Sequence, residues 1–127
     1  MKKIYYPVIF HPEEIGYSVS VPDIEGCFTQ GDSMDEAIEM TQDAIGLMLE
    51  DCESYPIPSD PTSINFDAGD FVVVVPFDMI EYKRRHDSRA VKKTLSLPSW
   101  LNEAAEAAHL NFSGILQDAL KAKLGLK

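Results

Sequence analysis

The chain is poor in cysteine, in long apolar runs and in basic residues, and each shortage excludes something. Two cysteines in 127 residues, Cys27 and Cys52, make neither a disulfide framework nor a zinc site, and their scarcity fits a reducing compartment. The longest strongly apolar stretch runs from Phe71 to Phe77, far short of the ~20 residues a membrane helix needs. Met1 to Pro7 shows no h-region or small-residue cleavage site, so no signal peptide is expected. The expected location is therefore cytoplasmic, away from the membrane. A phosphate-binding glycine loop is also missing. Eleven Lys and Arg face 21 Asp and Glu, for a net charge of −10.

That charge is unevenly spread. Residues 1–82 carry 17 acids against Lys2 and Lys3, a balance of −15, while residues 83–127 carry nine bases against four acids, a balance of +5. A sign change of this size points to two modules with different partners. The basic end suits phosphates. The acidic end repels them and suits a basic protein.

In the first module, Ile4 to Phe10 is β-branched and aromatic and predicts a strand apolar on both faces. Pro7 within it removes a ladder donor, so it belongs at an edge or a bulge. Tyr17, Val19 and Val21 alternate with serines in a second strand, and Cys27 to Gln30 forms a short third one. Ser33 and Glu36 make a capping box for a helix over Met34 to Cys52, with Ala37, Ile38, Thr41, Ala44, Ile45 and Met48 as its apolar stripe. Pro56, Pro58 and Pro61 mark a loop. Phe71 to Met79, with Val72 to Val75 in a row, predicts a strand buried on both faces. The fold class is α+β: a β-β-β-α-β sheet with one helix packed on it. Asp23, Glu25 and Asp32 lie close together, but surface turns explain them as well as a metal or acid–base site does. No catalytic residue, metal or cofactor is expected. His11 and His86 read as solvated, and both cysteines read as small core residues.

Tyr17-Ser18-Val19-Ser20-Val21-Pro22-Asp23-Ile24-Glu25-Gly26-Cys27, followed by Thr29-Gln30-Gly31-Asp32-Ser33 and Glu36-Ala37, resembles the signature of HicB-type antitoxins. Glu25 stands where many members carry proline. The likeness covers residues 1 to 80. It implies a degenerate ribonuclease H-like fold without catalytic carboxylates, and a partner: HicA, a small basic ribonuclease toxin with a double-stranded-RNA-binding-like fold.

Residues 83–90 read as a polar, basic linker. From Val91 the pattern is strand-helix-helix. Val91, Leu95 and Leu97 face one way, and Lys92, Thr94 and Ser96 the other. Pro98 or Ser99 starts a helix with Leu101, Ala104, Ala105 and Ala108 as its stripe, and His109-Leu110 turns the chain. Asn111 caps a second helix lined by Ile115, Leu116, Ala119, Leu120 and Leu124, and Gly125 ends it. So short a unit rarely buries enough apolar surface alone, and a lone strand leaves its backbone groups unpaired. Pairing with the same strand of a second chain answers both needs, so the unit predicts its own dimer, or a tetramer of paired dimers.

Thr94-Leu95-Ser96-Leu97-Pro98, Leu101, and Leu110 to Leu120 are similar in spacing to the ribbon-helix-helix family. That likeness implies operator DNA as a partner, with Lys92, Thr94 and Ser96 reading base edges. It also implies backbone N–H groups of Asn111, Phe112 and Ser113 against a phosphate. Gly114, in the first turn of the second helix, departs from the helix former usual there. The domain reading is 1–82 toxin-binding, 83–90 linker and 91–127 DNA-binding. The functional reading is an antitoxin that neutralises a HicA-type toxin and represses its own operon. The alternatives are a stand-alone regulator with an N-terminal sensing domain, and a ribonuclease H-like nuclease that would need a metal-binding carboxylate cluster.

Overall fold

The computed structural model describes residues 3–126. The chain divides between Ser88 and Arg89 into two compact units. In the first, strands β1 (Ile4–Pro12), β2 (Tyr17–Ser20) and β3 (Phe28–Gly31) precede helix α1 (Met34–Leu49), strand β4 (Phe71–Phe77) and helix α2 (Met79–His86). The sheet order is β3-β2-β1-β4, antiparallel throughout. The second unit holds α3 (Ser99–Ala107) and α4 (Phe112–Leu124). The class is α+β, as the periodicities predict.

The core lies between the sheet and α1. Tyr6, Val8 and Phe10 of β1, Val19 of β2, and Val75 and Phe77 of β4 are buried on one sheet face. Ala37, Thr41, Ile45 and Leu49 of α1 close over them. Thr41 is the one polar member of this stripe, and its hydroxyl donates to the Ala37 carbonyl at 2.6 Å, which removes the cost of burying it. Ser33 caps α1 as expected, accepting from the Glu36 N–H at 3.1 Å. The helix stops at Leu49 rather than Cys52, and Met48 is 40% exposed because the packed stripe continues through Leu49.

One reading of the first unit holds in local form and two change. Pro7 is locally at an edge, because β2 pairs only with Ile9–Pro12 and leaves Pro7 a ladder partner on β4 alone. β4 is an edge strand covered on one face, not two, and Val74 is 44% exposed. A row of valines cannot distinguish a strand buried on both faces from an apolar strand with one face open. The linker expected over residues 83–90 is shorter, since residues 83–86 form the last turn of α2. Asp78 caps that helix, accepting from the Ile80 and Glu81 N–H groups. Tyr82 is buried against Phe77 and Gly46. A Cβ on Gly46 would come within 2.1 Å of the Tyr82 ring, so a side chain there and α2's seat on α1 exclude each other.

The proline loop is pinned at two points. Asp23 accepts from the Ser59 N–H at 2.8 Å and from its hydroxyl at 2.5 Å. The Tyr6 hydroxyl donates to the Pro56 carbonyl at 2.8 Å, and burial, aided by the Asp23 charge, raises the Tyr6 pKa and keeps that proton in place.

Candidate functional site

In the second unit, residues 87–98 carry no regular structure, so the expected strand over Val91–Leu97 is not formed within the single chain. A ribbon needs two strands, and this unit supplies one candidate segment. Lys92, Thr94 and Ser96 are all exposed. Leu95 and Leu97, between and beyond them, are 55% and 48% exposed. The segment therefore offers polar and apolar side chains alike to a partner.

The N-terminus of α4 is built as the sequence predicts. Asn111 is its N-cap, with its side-chain oxygen accepting from the Gly114 N–H at 3.1 Å. That side chain takes one of the orphan donors of the first turn, leaving the Phe112 and Ser113 N–H groups without an intrahelical acceptor. A Cβ at position 114 would lie 2.8 Å from the Asn111 amide nitrogen, so glycine there gives the cap room. Before it, α3 ends in a Schellman turn. Leu110 N–H bonds the Ala105 carbonyl and His109 N–H bonds the Glu106 carbonyl, with His109 left-handed at φ 56°. Gly125, at φ 74°, closes α4 in the same way, through Leu126 N–H to the Lys121 carbonyl.

Neither helix of this unit has a buried residue. Leu101, Leu110, Phe112, Ile115, Leu116, Leu120 and Leu124 are between 37% and 53% exposed. Such a stripe marks an incomplete core.

The first unit brings its titratable residues together differently from the expectation. His11 is exposed, as expected, but lies in β1 rather than a turn and shares a hydrogen bond with Asp70 at 2.5 Å, which raises its pKa. His86 is exposed as well, but it belongs to α2 rather than a linker and has partners. It stacks on Tyr82 with ring centroids 4.6 Å apart and reaches Asp43 at 3.1 Å, beside Arg85 on the same carboxylate at 3.0 Å. Asp23 is spent on the proline loop. Cys27 is buried, and burial pushes its thiol pKa up, away from a nucleophile; Cys52 is exposed and not a core residue. Among the described residues, no group of three or more His, Cys, Asp or Glu is placed to hold a metal ion. No described helix is long and apolar enough to cross a membrane. The missed element, α2, had a legible signal: Asp78 and Glu81 stand at capping-box spacing.

A closed α+β unit is thus followed by a two-helix unit with an open apolar stripe. The profile of HicB-like antitoxins of bacterial toxin–antitoxin systems matches residues 6–120. The chain belongs to this family, whose usual role is regulatory or inhibitory rather than catalytic. Antitoxin HicB 1 of Photorhabdus laumondii is 46% identical over 63 residues, and Antitoxin HicB 2 of the same organism is 40% identical over 62. Each match takes in 46% of this chain, and it spans 41% and 45% of the respective relative, under half the length of both. A chain of the toxin–antitoxin complex from Streptococcus pneumoniae matches with a TM-score of 0.57 at 28% identity, covering 96% of this chain and 99% of that one. The antitoxin HicB from Burkholderia pseudomallei gives 0.51 at 25%, covering 92% and 96%.

Proposed function

We propose that this protein is the antitoxin of a type II toxin–antitoxin system: it binds and neutralises a HicA-type ribonuclease toxin and represses its own operon. The N-terminal unit, read as residues 1–82 with the α2 turn added, binds the toxin. Residues 91–127 form a ribbon-helix-helix dimer, or a tetramer of two dimers, that binds operator DNA in the cytoplasm. Lys92, Thr94 and Ser96 read base edges from the ribbon, and the start of α4, Asn111 to Ser113, holds a phosphate.

The observation that carries this reading is the C-terminal unit itself. It leaves its helices without one buried side chain and alternates exposed polar and apolar residues along the segment that would pair. A second copy supplies both a core and a ladder partner. The strongly acidic N-terminal unit remains for a basic protein.

Co-expression with the neighbouring open reading frame tests the first half: the two products should co-purify, and growth arrest by the toxin should be relieved. Thr94→Ala tests the second. It should weaken operator binding by roughly 1–3 kcal/mol and leave random DNA, held through phosphates, nearly unaffected. Equal losses on both duplexes would reduce the C-terminal unit to a dimerisation module. The other reading, a stand-alone regulator, has one observation behind it: an open groove of about 390 Å³ lined by Lys3, Gln42, Asp78 and Arg85, among others. Such a regulator would purify without a partner and repress unaided.

A further inference from the structure

The cross-strand register assembles the sheet face that α1 leaves open. Tyr5 lies opposite Pro76, and Pro7, itself fully buried, opposite Val74. Ile9 lies between Val72 and Ser20, and Ser20 beside Phe28. His11, Ser18 and Gln30 make the next row, which Asp70 extends through its bond to His11. The first three rows are apolar except for Ser20. The last is polar and acidic at its rim, where the Ser18 hydroxyl donates to Glu13 at 2.9 Å. Phe28, Tyr5 and Val74 are 73%, 55% and 44% exposed. An apolar centre beside an acidic margin is the make-up of a docking surface.

Charge decides what docks there. Residues 3–88 hold 18 acids against four Lys and Arg. Cations of the chain itself meet acids on both sides: Arg85 and His86 reach Asp43 and Glu39 of α1, and His11 bonds Asp70 and lies 4.0 Å from Glu13 at the sheet margin. What the sheet face adds is an exposed apolar centre, Phe28, Tyr5 and Val74, beside the Glu13–Asp70 margin. We infer that this sheet face, centred on Tyr5, Val74 and Phe28, is the docking surface for a basic protein. Resting on the antitoxin reading, that protein is the toxin, which lays an apolar patch on Phe28 and Val74 and cationic side chains along the margin.

The test uses the full-length chain and the purified product of the neighbouring open reading frame. Phe28→Ala removes the most exposed aromatic of the face. Val74→Lys places a cation in its centre, on an edge strand where lysine is well tolerated. Each should weaken binding about tenfold or more, with the thermal transition of the N-terminal unit unchanged. Leu47→Lys, on the solvent side of α1 and 65% exposed, should leave affinity within about threefold, as surface changes outside an interface do. Should Val74→Lys fail to fold, Phe28→Ala alone still decides. Wild-type affinity in Phe28→Ala, or an equal loss in Leu47→Lys, overturns the assignment. So does a fall in oligomer mass for the sheet-face variants with toxin affinity intact, which would give the face to a second copy of this chain. A wild-type chain that does not bind the toxin at all fails the antitoxin reading itself, and the assignment falls with it.

Discussion

Thirteen core hydrophobic side chains, and Pro7 with them, are buried in the N-terminal unit, all between Tyr6 and Tyr82. From Arg89 to Leu126 no side chain is buried, although this stretch carries eleven exposed large apolar residues, from Val91 to Leu124. Both units follow the same rules of helix periodicity and capping. They differ in what one copy of the chain can cover. In the first unit a helix and a sheet present complementary apolar faces to each other; in the second, two short helices and an extended segment expose more apolar surface than they can hide. Good local structure and a closed core are therefore separate achievements of a sequence. The second unit has the first without the second.

The sharpest way to break that comparison is to cut equivalent side chains in both units. Ile45→Ala should cost about 2–5 kcal/mol, with a melting temperature that does not move with protein concentration. Leu120→Ala should cost a similar amount only in the associated state. Its effect should appear as a lower, concentration-dependent transition and a shift toward monomer in sedimentation. A concentration-independent melt of the C-terminal unit would end the argument that it is completed by a second copy.

Next in size is Gly46→Ala. The added methyl meets the Tyr82 ring, so stability should fall by about 1–3 kcal/mol. Combined with Tyr82→Ala, the two losses should be much less than additive, which a double-mutant cycle measures. Additive losses would mean that α2 does not depend on this contact.

Legibility follows the same division. The sheet, α1, the serine cap, the Asn111 cap and the Gly125 stop were readable because each rests on neighbours within a few positions. The apolar stripe of α1 differs by one position at its end, where Leu49 rather than Met48 is buried, because packing against the sheet, not periodicity alone, decides which residue is covered. The second half of α2 reads as linker because Lys83-Arg84-Arg85-His86 looks solvated in sequence, while in space Asp43 and Glu39 receive Arg85 and His86 from 40 or more residues away. The partners of His11 and Asp23 were invisible for the same reason. Of the candidate DNA contacts, the Asn111 cap is seen directly; the roles of Lys92, Thr94 and Ser96 depend on a second strand and a ligand, and no single chain encodes their placement.

Smaller effects sharpen the picture at the turns. His109 adopts a left-handed backbone where glycine is the usual residue, so His109→Gly should stabilise the C-terminal unit by about 1 kcal/mol. A lower melting temperature would mean that the imidazole itself is used. The smallest effect expected is the pH response of His11. The Asp70 hydrogen bond, then its charge, raises the His11 pKa in the folded state. Its contribution is then complete below the unfolded value of about 6.5 and is lost as pH rises through the higher folded value. Wild type should lose a little thermal stability across that window, and Asp70→Asn should flatten the response.

Residues 87–98 join the units without regular structure, every one of them exposed, and they include Arg89, Lys92 and Lys93. Proteolysis concentrates in chain of this kind, and brief trypsin treatment should yield two fragments rather than a ladder. One cut here leaves the closed unit intact, since its core needs nothing beyond Ser88. On the reading proposed above, the same cut would strip operator binding from the toxin-binding half. The two capacities would then decay on separate clocks: a nicked molecule would go on restraining the toxin after it had ceased to silence the genes.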